Sequence, residues 1–225
     1  MPSILITGAN RGIGYALAEL YVQAGWQVFA ARRNDSAPVP AGTQPLLLDI
    51  TDPDSIQALK NTLGKTPIDV LWNNAGVYLD KGDALSEVSD EDWLRSFQIN
   101  TIAPIRIAEA LADNVAASEL KVIAFTTSLM ASLAGNGAGA YAYRSSKTAL
   151  NMAVRCLSKD LAEQQISCVL LHPGHVKTDM GGPEGAIDTA TSVVGLKAVV
   201  DQISPKTQVD YNGLYFNYDG RAIAW

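Results

Sequence analysis

The chain has 225 residues, with 17 Lys or Arg against 23 Asp or Glu, for a formal net charge of −6. Hydrophobic residues make up 48 % and charged residues 18 %, which excludes a disordered chain, and the acidic balance argues against a nucleic-acid binder, which needs clustered Lys and Arg. Two cysteines, Cys156 and Cys168, with no CxxC pair, exclude a disulfide scaffold and fit a reducing compartment.

The opening residues Met1-Pro2-Ser3-Ile4-Leu5-Ile6-Thr7-Gly8 lack a basic segment and an export-length apolar run. They predict a buried strand over Ser3–Thr7. Residues 12–24 carry Ile13, Ala16, Leu17, Leu20 and Tyr21 at helical spacing, with Gly25 as a stop. A strand is expected over Trp26–Ala31, a loop over 33–43 and a strand over Pro45–Leu48. Asp52 is the expected N-cap and Pro53 the first residue of a helix through Leu63. Then follow a strand at Ile68–Trp72, a long helix at Asp90–Ala112 and a strand at Leu120–Thr127. A helix over 141–163, a strand at Ile166–Leu171, a helix at Asp188–Gln202 and a strand at Leu214–Asn217 complete the pattern.

Alternating strand and helix predicts an α/β protein, with a parallel sheet of about seven strands covered on both faces. The expectation is one doubly wound domain over residues 1–225, since such domains often run to about 200–250 residues. No stretch reaches the roughly 18 apolar residues of a membrane helix. The cytoplasm is the expected location, with no membrane or nucleic-acid partner. Doubly wound sheets bind ligands beyond the carboxyl ends of their strands, so the residues just after each strand hold the interest.

After the first strand lies Thr7-Gly8-Ala9-Asn10-Arg11-Gly12-Ile13-Gly14. Glycines there let a pyrophosphate approach the backbone, and the following helix offers free N–H groups. After the second strand come Arg32 and Arg33, where an acid would select the cofactor without a 2′-phosphate. Guanidinium groups bind phosphate in a fork, so these two, with Arg11, predict NADP(H) over NAD. Tyr143 and Lys147, four apart, share one face of a predicted helix. A neighbouring ammonium favours phenolate and lowers the tyrosine pKa, which suits proton exchange. Ser128 follows the fifth strand.

These residues resemble the classical short-chain dehydrogenase/reductase family over essentially the whole chain. The resemblance rests on Gly8-(x)3-Gly12-Ile13-Gly14, Asn73-Asn74-Ala75-Gly76, Ser128, Tyr143-(x)3-Lys147 and His172-Pro173-Gly174. Thr178-Asp179-Met180-Gly181-Gly182-Pro183 and Tyr218-Asp219-Gly220 look more narrowly like its small carbonyl-reductase and C-factor-like branch. The resemblance implies an NADPH-dependent oxidoreductase that reduces a small aldehyde or ketone. Tyr143 would be the proton donor, Lys147 would hold the nicotinamide ribose, and Ser128 would hydrogen-bond the substrate carbonyl. Asn100 sits where the family holds a water leading to the lysine. Asp49, with Ile50 beside it, would meet the adenine, and Asn74, Ala75 and Gly76 would line the adenosine side. Pro173, Gly174, Val176 and Thr178 would position the nicotinamide. The family also implies a homodimer through the 90–112 and 141–163 helices.

Many relatives have about thirteen residues between serine and tyrosine; here Ser128 to Tyr143 is fifteen. Thirteen would select Tyr141, which lacks a lysine four residues on, so a longer Ala134–Gly139 loop is expected instead. Thr126 and Thr127 are weaker candidates for the serine's role. The substrate loop is expected at about 178–188, short and rich in Gly and Pro, bordering an open site. An NADP-loaded sensor with incidental catalysis is the alternative function, and a nucleotide-sugar epimerase a third. His172 and His175 read as structural rather than metal ligands. Both cysteines are expected as buried thiols, and the tryptophans with the Tyr211–Tyr218 group as packing of the sheet edge and any dimer contact.

Overall fold

The structure, a computed structural model, describes every residue except Asn136, which falls within the expected Ala134–Gly139 loop. Seven strands form one sheet: β1 (Ser3–Thr7), β2 (Gln27–Arg32), β3 (Gln44–Leu47), β4 (Val70–Asn73), β5 (Val122–Thr126), β6 (Ser167–His172) and β7 (Tyr215–Asn217). Their spatial order is β3-β2-β1-β4-β5-β6-β7, and every neighbouring pair is parallel. The chain winds outward from β1 to β3, then returns to lay β4 on the other side of β1. That reversal opens a crevice at the carboxyl ends of β1 and β4.

Strand periodicity divides the core. Ile4 and Ile6 of β1 pack on one face with Leu17 and Tyr21 of α1 (Gly12–Gln23) and Leu196 of α6 (Thr189–Val200). Leu5 points to the other face, towards Leu59 of α2 (Pro53–Leu63), Ile107 of α4 (Ala103–Ala116) and Leu150 of α5 (Tyr141–Asp160). Asp52 caps α2 as its sequence predicts, accepting from the Asp54 N–H at 3.1 Å.

The long helix expected over Asp90–Ala112 is three pieces instead. These are α3 (Asp90–Phe97), a π-helical turn over Gln98–Ile102, and α4. Pro104 gives the reason. It has no N–H to offer the Asn100 carbonyl, and its ring would collide with that oxygen in a regular helix. A wider turn relieves the clash, and such turns recur at functional sites. α7 (Gln208–Tyr211) is a single turn before β7.

Two packing expectations fail. Trp72 lies in the central strand β4, fully buried and edge-on to Tyr21, because a sheet covered on both faces can hide a large ring at its middle. Cys156 is exposed on the outer side of α5, and only Cys168 is buried. Among the described residues, no helix is long and apolar enough to cross a membrane.

Candidate active site

The turn after β1 is built for close backbone approach. Gly8 and Gly12 adopt φ of 67° and 54°, a region that costs an L side chain strain. A Cβ on Gly14 would stand 2.3 Å from the Gly8 carbonyl oxygen and 2.5 Å from Asn74 Nδ2, so only glycine lets α1 seat against the turn. Thr7 Oγ1 accepts from the N–H groups of Asn74 and Ala75 at 3.0 and 3.1 Å. The turn after β4 is thereby fixed to the end of β1. No side chain caps the first turn of α1, which leaves its N–H groups for an anion.

A cavity of about 550 Å3 runs along these strand ends. Gly8, Asn10, Arg11, Gly12 and Ile13 line it at the turn, and Asn74, Ala75 and Gly76 line it behind β4. Asp49 and Ile50 line it at one end, Tyr143 and Lys147 within it, and Pro173 and Thr178 beside the loop after β6. Gly14, Asn100, Ser128, Gly174 and Val176 are not among the residues that line it. Gly174 (φ 85°) allows Ile187 and Tyr218 to pack where a Cβ would meet them at 2.7 and 3.0 Å. Val176 is buried and bridges Ile187.

Two of the three arginines, Arg11 and Arg33, line the cavity; Arg32 does not, and it donates to the Ala37 carbonyl and to Asp35 at 3.0 Å. Arg32 is the last residue of β2 and is held by its own near partners, whereas Arg33 lies in the bend that follows the strand. Arg11 pairs with Asp179 at 3.2 Å, and both side chains are mostly exposed. Arg95, which sequence reading passed over, also lines the cavity. The Asp49 carboxyl is held below its ordinary range, first by the Thr51 N–H and hydroxyl, then by Arg33 and Arg95.

Tyr143 is buried at the start of α5, whereas Tyr141 is 39 % exposed. The structure therefore brings Tyr143, not Tyr141, to the cavity. Burial pushes its phenol up to about 12, and the Tyr78 ring adds to the rise while a hydrogen bond with Ser128 opposes it. The expectation was a lowered value; burial is the largest influence, and it raises the phenol instead. Burial brings Lys147 itself down to about 8, and its Nζ donates to the Thr126 carbonyl at 2.9 Å. Ser128 Oγ accepts from the Met130 N–H at 3.2 Å. The hydroxyls of Thr126 and Thr127 are engaged with Trp72 Nε1 and Asn151 Oδ1, which leaves Ser128 the hydroxyl beside the phenol.

Asn100, in the π-helical turn, donates to the Val77 carbonyl at 2.9 Å and to Ser146 Oγ at 3.0 Å, and accepts from the Val77 N–H at 2.9 Å. A Cβ on Gly76 would meet Asn100 Oδ1 at 3.1 Å and Lys147 Nζ at 3.4 Å.

Three supports had no motif in the sequence. Asp80 accepts from the N–H groups of Ala142 and Tyr143. Tyr215 donates to the Ser128 carbonyl. The Ser132 hydroxyl and the Ala134 N–H bond the carbonyls of Ala224 and Trp225, so the last residues brace the loop after Ser128. One signal was available: no Ser, Thr, Asp or Asn directly precedes α5, so its cap had to come from elsewhere. His175 Nε2 lies 3.1 Å from the Gly181 carbonyl. Among the described residues, no three His, Cys, Asp or Glu side chains gather as a metal set.

The short chain dehydrogenase family model matches residues 2–188. The C-signal of Myxococcus xanthus is 44 % identical over 160 residues, covering 71 % of this chain and 93 % of that one. The solved carbonyl reductase Sniffer of D. melanogaster superposes with a TM-score of 0.87 at 34 % identity, covering both chains fully. A carbonyl reductase from Pseudomonas aeruginosa PAO1, solved in complex with NADP, gives the same score, identity and coverage. With this sheet order, this glycine turn and this tyrosine–lysine pair, the chain belongs to the short chain dehydrogenase family, in its classical carbonyl-reductase and C-signal-like branch.

Proposed function

We propose that the protein is an NADPH-dependent oxidoreductase that reduces a small aldehyde or ketone to the alcohol, residues 1–225 acting as one cofactor-binding catalytic domain. The observation that carries this is a single cavity joining the glycine turn to Tyr143 and Lys147. The residues suit a dinucleotide: positive-φ glycines, an uncapped helix N-terminus, the Asp49 carboxylate and the Arg33 guanidinium all face that cavity. NADPH supplies the hydride when bound.

Tyr143 donates its proton to the carbonyl oxygen, and its raised pKa keeps that proton in place at neutral pH. Ser128 holds the same oxygen. Lys147 holds the ribose hydroxyls and stabilises the phenolate that proton transfer leaves. Asn100 fixes Val77 and Ser146, and so the frame around Lys147. A panel of aldehydes and ketones, followed by NADPH absorbance with NADH as control, tests the reading. No turnover of any member would sink it.

Arg33 is the residue assigned to the 2′-phosphate, with Arg11 beside the turn and Arg32 set apart by its own partners. Losing one charge-assisted bond weakens binding by roughly 10–100-fold. Arg33→Ala should raise the NADPH Kd by that factor and leave NADH nearly unchanged, while Arg32→Ala should change both little. Equal losses for both cofactors after Arg33→Ala would refute the assignment.

The α3–α5 helices also serve as a homodimer face. Leu94, Ile102 and Met152 are 73, 53 and 62 % exposed there, and such residues favour burial against a second copy. Light scattering should report two chains for the wild type and one for Leu94→Glu with Met152→Glu. A single chain in both would remove the face.

A further inference from the structure

We infer that Tyr78 and Asp80, on the loop after β4, are positioning residues for Tyr143. The inference rests on the reductase reading above. The Tyr78 ring stacks on the Tyr143 ring, with centroids 4.3 Å apart and planes 20° apart. Asp80 is 1 % exposed, and its carboxylate accepts from the Ala142 N–H at 2.7 Å and the Tyr143 N–H at 3.2 Å. One short loop therefore grips the proton donor twice, by ring and by backbone.

The grip answers a local defect. α5 starts after Ala140, which is left-handed at φ 55° and offers no side-chain cap. Its first N–H groups point into the protein, where an unpaired donor is costly. Asp80 supplies the acceptor from a distant part of the chain and sets a negative charge at the positive helix end.

The loop is itself held. Both backbone groups of Val77 bond the Asn100 side chain at 2.9 Å. Asn100 is placed by the π-helical turn that Pro104 requires. Rigidity thus passes from that turn, through Val77, to Tyr78 and Asp80, and on to the phenol. Neither Tyr78 nor Asp80 lines the cavity, so each acts through Tyr143.

Proton transfer needs donor and acceptor within about 2.6–3.2 Å, and a displacement of about 1 Å can cost roughly 10²-fold in rate. A phenol without its stacking partner can swing about its side-chain bonds. The effect should therefore fall on kcat, with cofactor binding spared.

The test uses the full chain with Tyr78→Ala, Tyr78→Phe, Asp80→Asn and Asp80→Ala. It measures kcat and carbonyl KM by NADPH consumption, NADPH Kd by fluorescence, and Tm. Tyr78→Ala should lower kcat roughly 10–100-fold, with NADPH Kd changed by less than about twofold. Tyr78→Phe keeps the ring and should restore kcat. Asp80→Asn keeps one acceptor oxygen but sets an N–H donor against the second backbone N–H, so kcat should fall, though less than in Asp80→Ala, which should also melt lower; wild-type kcat in Asp80→Asn would overturn Asp80's part. If Asp80→Ala does not fold, the Tyr78 pair and Asp80→Asn still decide. Wild-type kcat in Tyr78→Ala, or Tyr78→Phe as slow as Tyr78→Ala, overturns the inference while the reductase reading stands. A wild-type protein without carbonyl turnover overturns both.

Discussion

Tyr143→Phe is expected to abolish measurable carbonyl reduction while leaving NADPH binding almost intact. Only the hydroxyl is removed, so the ring still stacks on Tyr78 and still fills its buried place. A positioned acid contributes roughly 10²–10⁴-fold, and neither Tyr78 nor Tyr215 can replace it. Tyr78 presents its ring face, and Tyr215 spends its hydroxyl on the Ser128 carbonyl. The measurement is steady-state NADPH consumption beside a fluorescence titration of NADPH. Turnover within about tenfold of wild type would remove Tyr143 from its role.

Lys147→Met is expected to lose activity and to change how stability depends on pH. The ammonium is buried, and in the proposed mechanism it stabilises the charge that appears when Tyr143 gives up its proton. Removing one such preorganised group lowers kcat by roughly 10²–10³-fold. The wild-type reduction rate should fall as pH rises through about 8, where the buried Lys147 loses its proton, and the variant should lack that limb. The stability effect runs the opposite way. Folded Lys147 titrates near 8 against its ordinary 10.5, so the unfolded chain binds more protons between those values. Wild-type stability therefore rises with pH across that window. Below it, the buried charge costs up to about 3 kcal/mol, at about 1.4 kcal/mol per pKa unit. Met carries no charge, so any Tm gain over wild type should be greatest at pH 7 and shrink toward pH 10. Met also leaves the Thr126 carbonyl without its donor, so the informative quantity is how that gap changes with pH. A gap constant with pH would refute the buried charge.

Much of the site was legible because its signals are local. A strand ending in Gly8, then Gly12 and Gly14, is a turn whatever surrounds it. Asp52 before Pro53 caps a helix with its own neighbours. Tyr143 and Lys147 share a face because four residues span about one helical turn. The errors have more than one origin. Arg32 and Arg33 looked equivalent, but Arg32 ends β2 and is taken by the Ala37 carbonyl and Asp35, while Arg33 follows the strand and lines the cavity. The Tyr143 phenol was expected to be acidified by Lys147, but burial under Tyr78 and the sheet raises it. The break at Gln98–Ile102 was foreseeable from Pro104, whose missing N–H falls against Asn100.

The sequence alone determined the alternation of strand and helix, the glycine turn, the tyrosine–lysine pair and the family they resemble. These follow from backbone sterics and periodicity, which act over a few residues. The tertiary structure alone decided which arginine faces the cavity, what caps α5 and what holds Ser128. Asp80 meets Tyr143, Asn100 meets Val77 and Tyr215 meets Ser128 across 63, 23 and 87 residues of chain. Such pairs satisfy buried polar groups that no near neighbour can reach. The resemblance had marked Asn100, but its partner Val77, and the Asp80 and Tyr215 pairings, are written only in the packing.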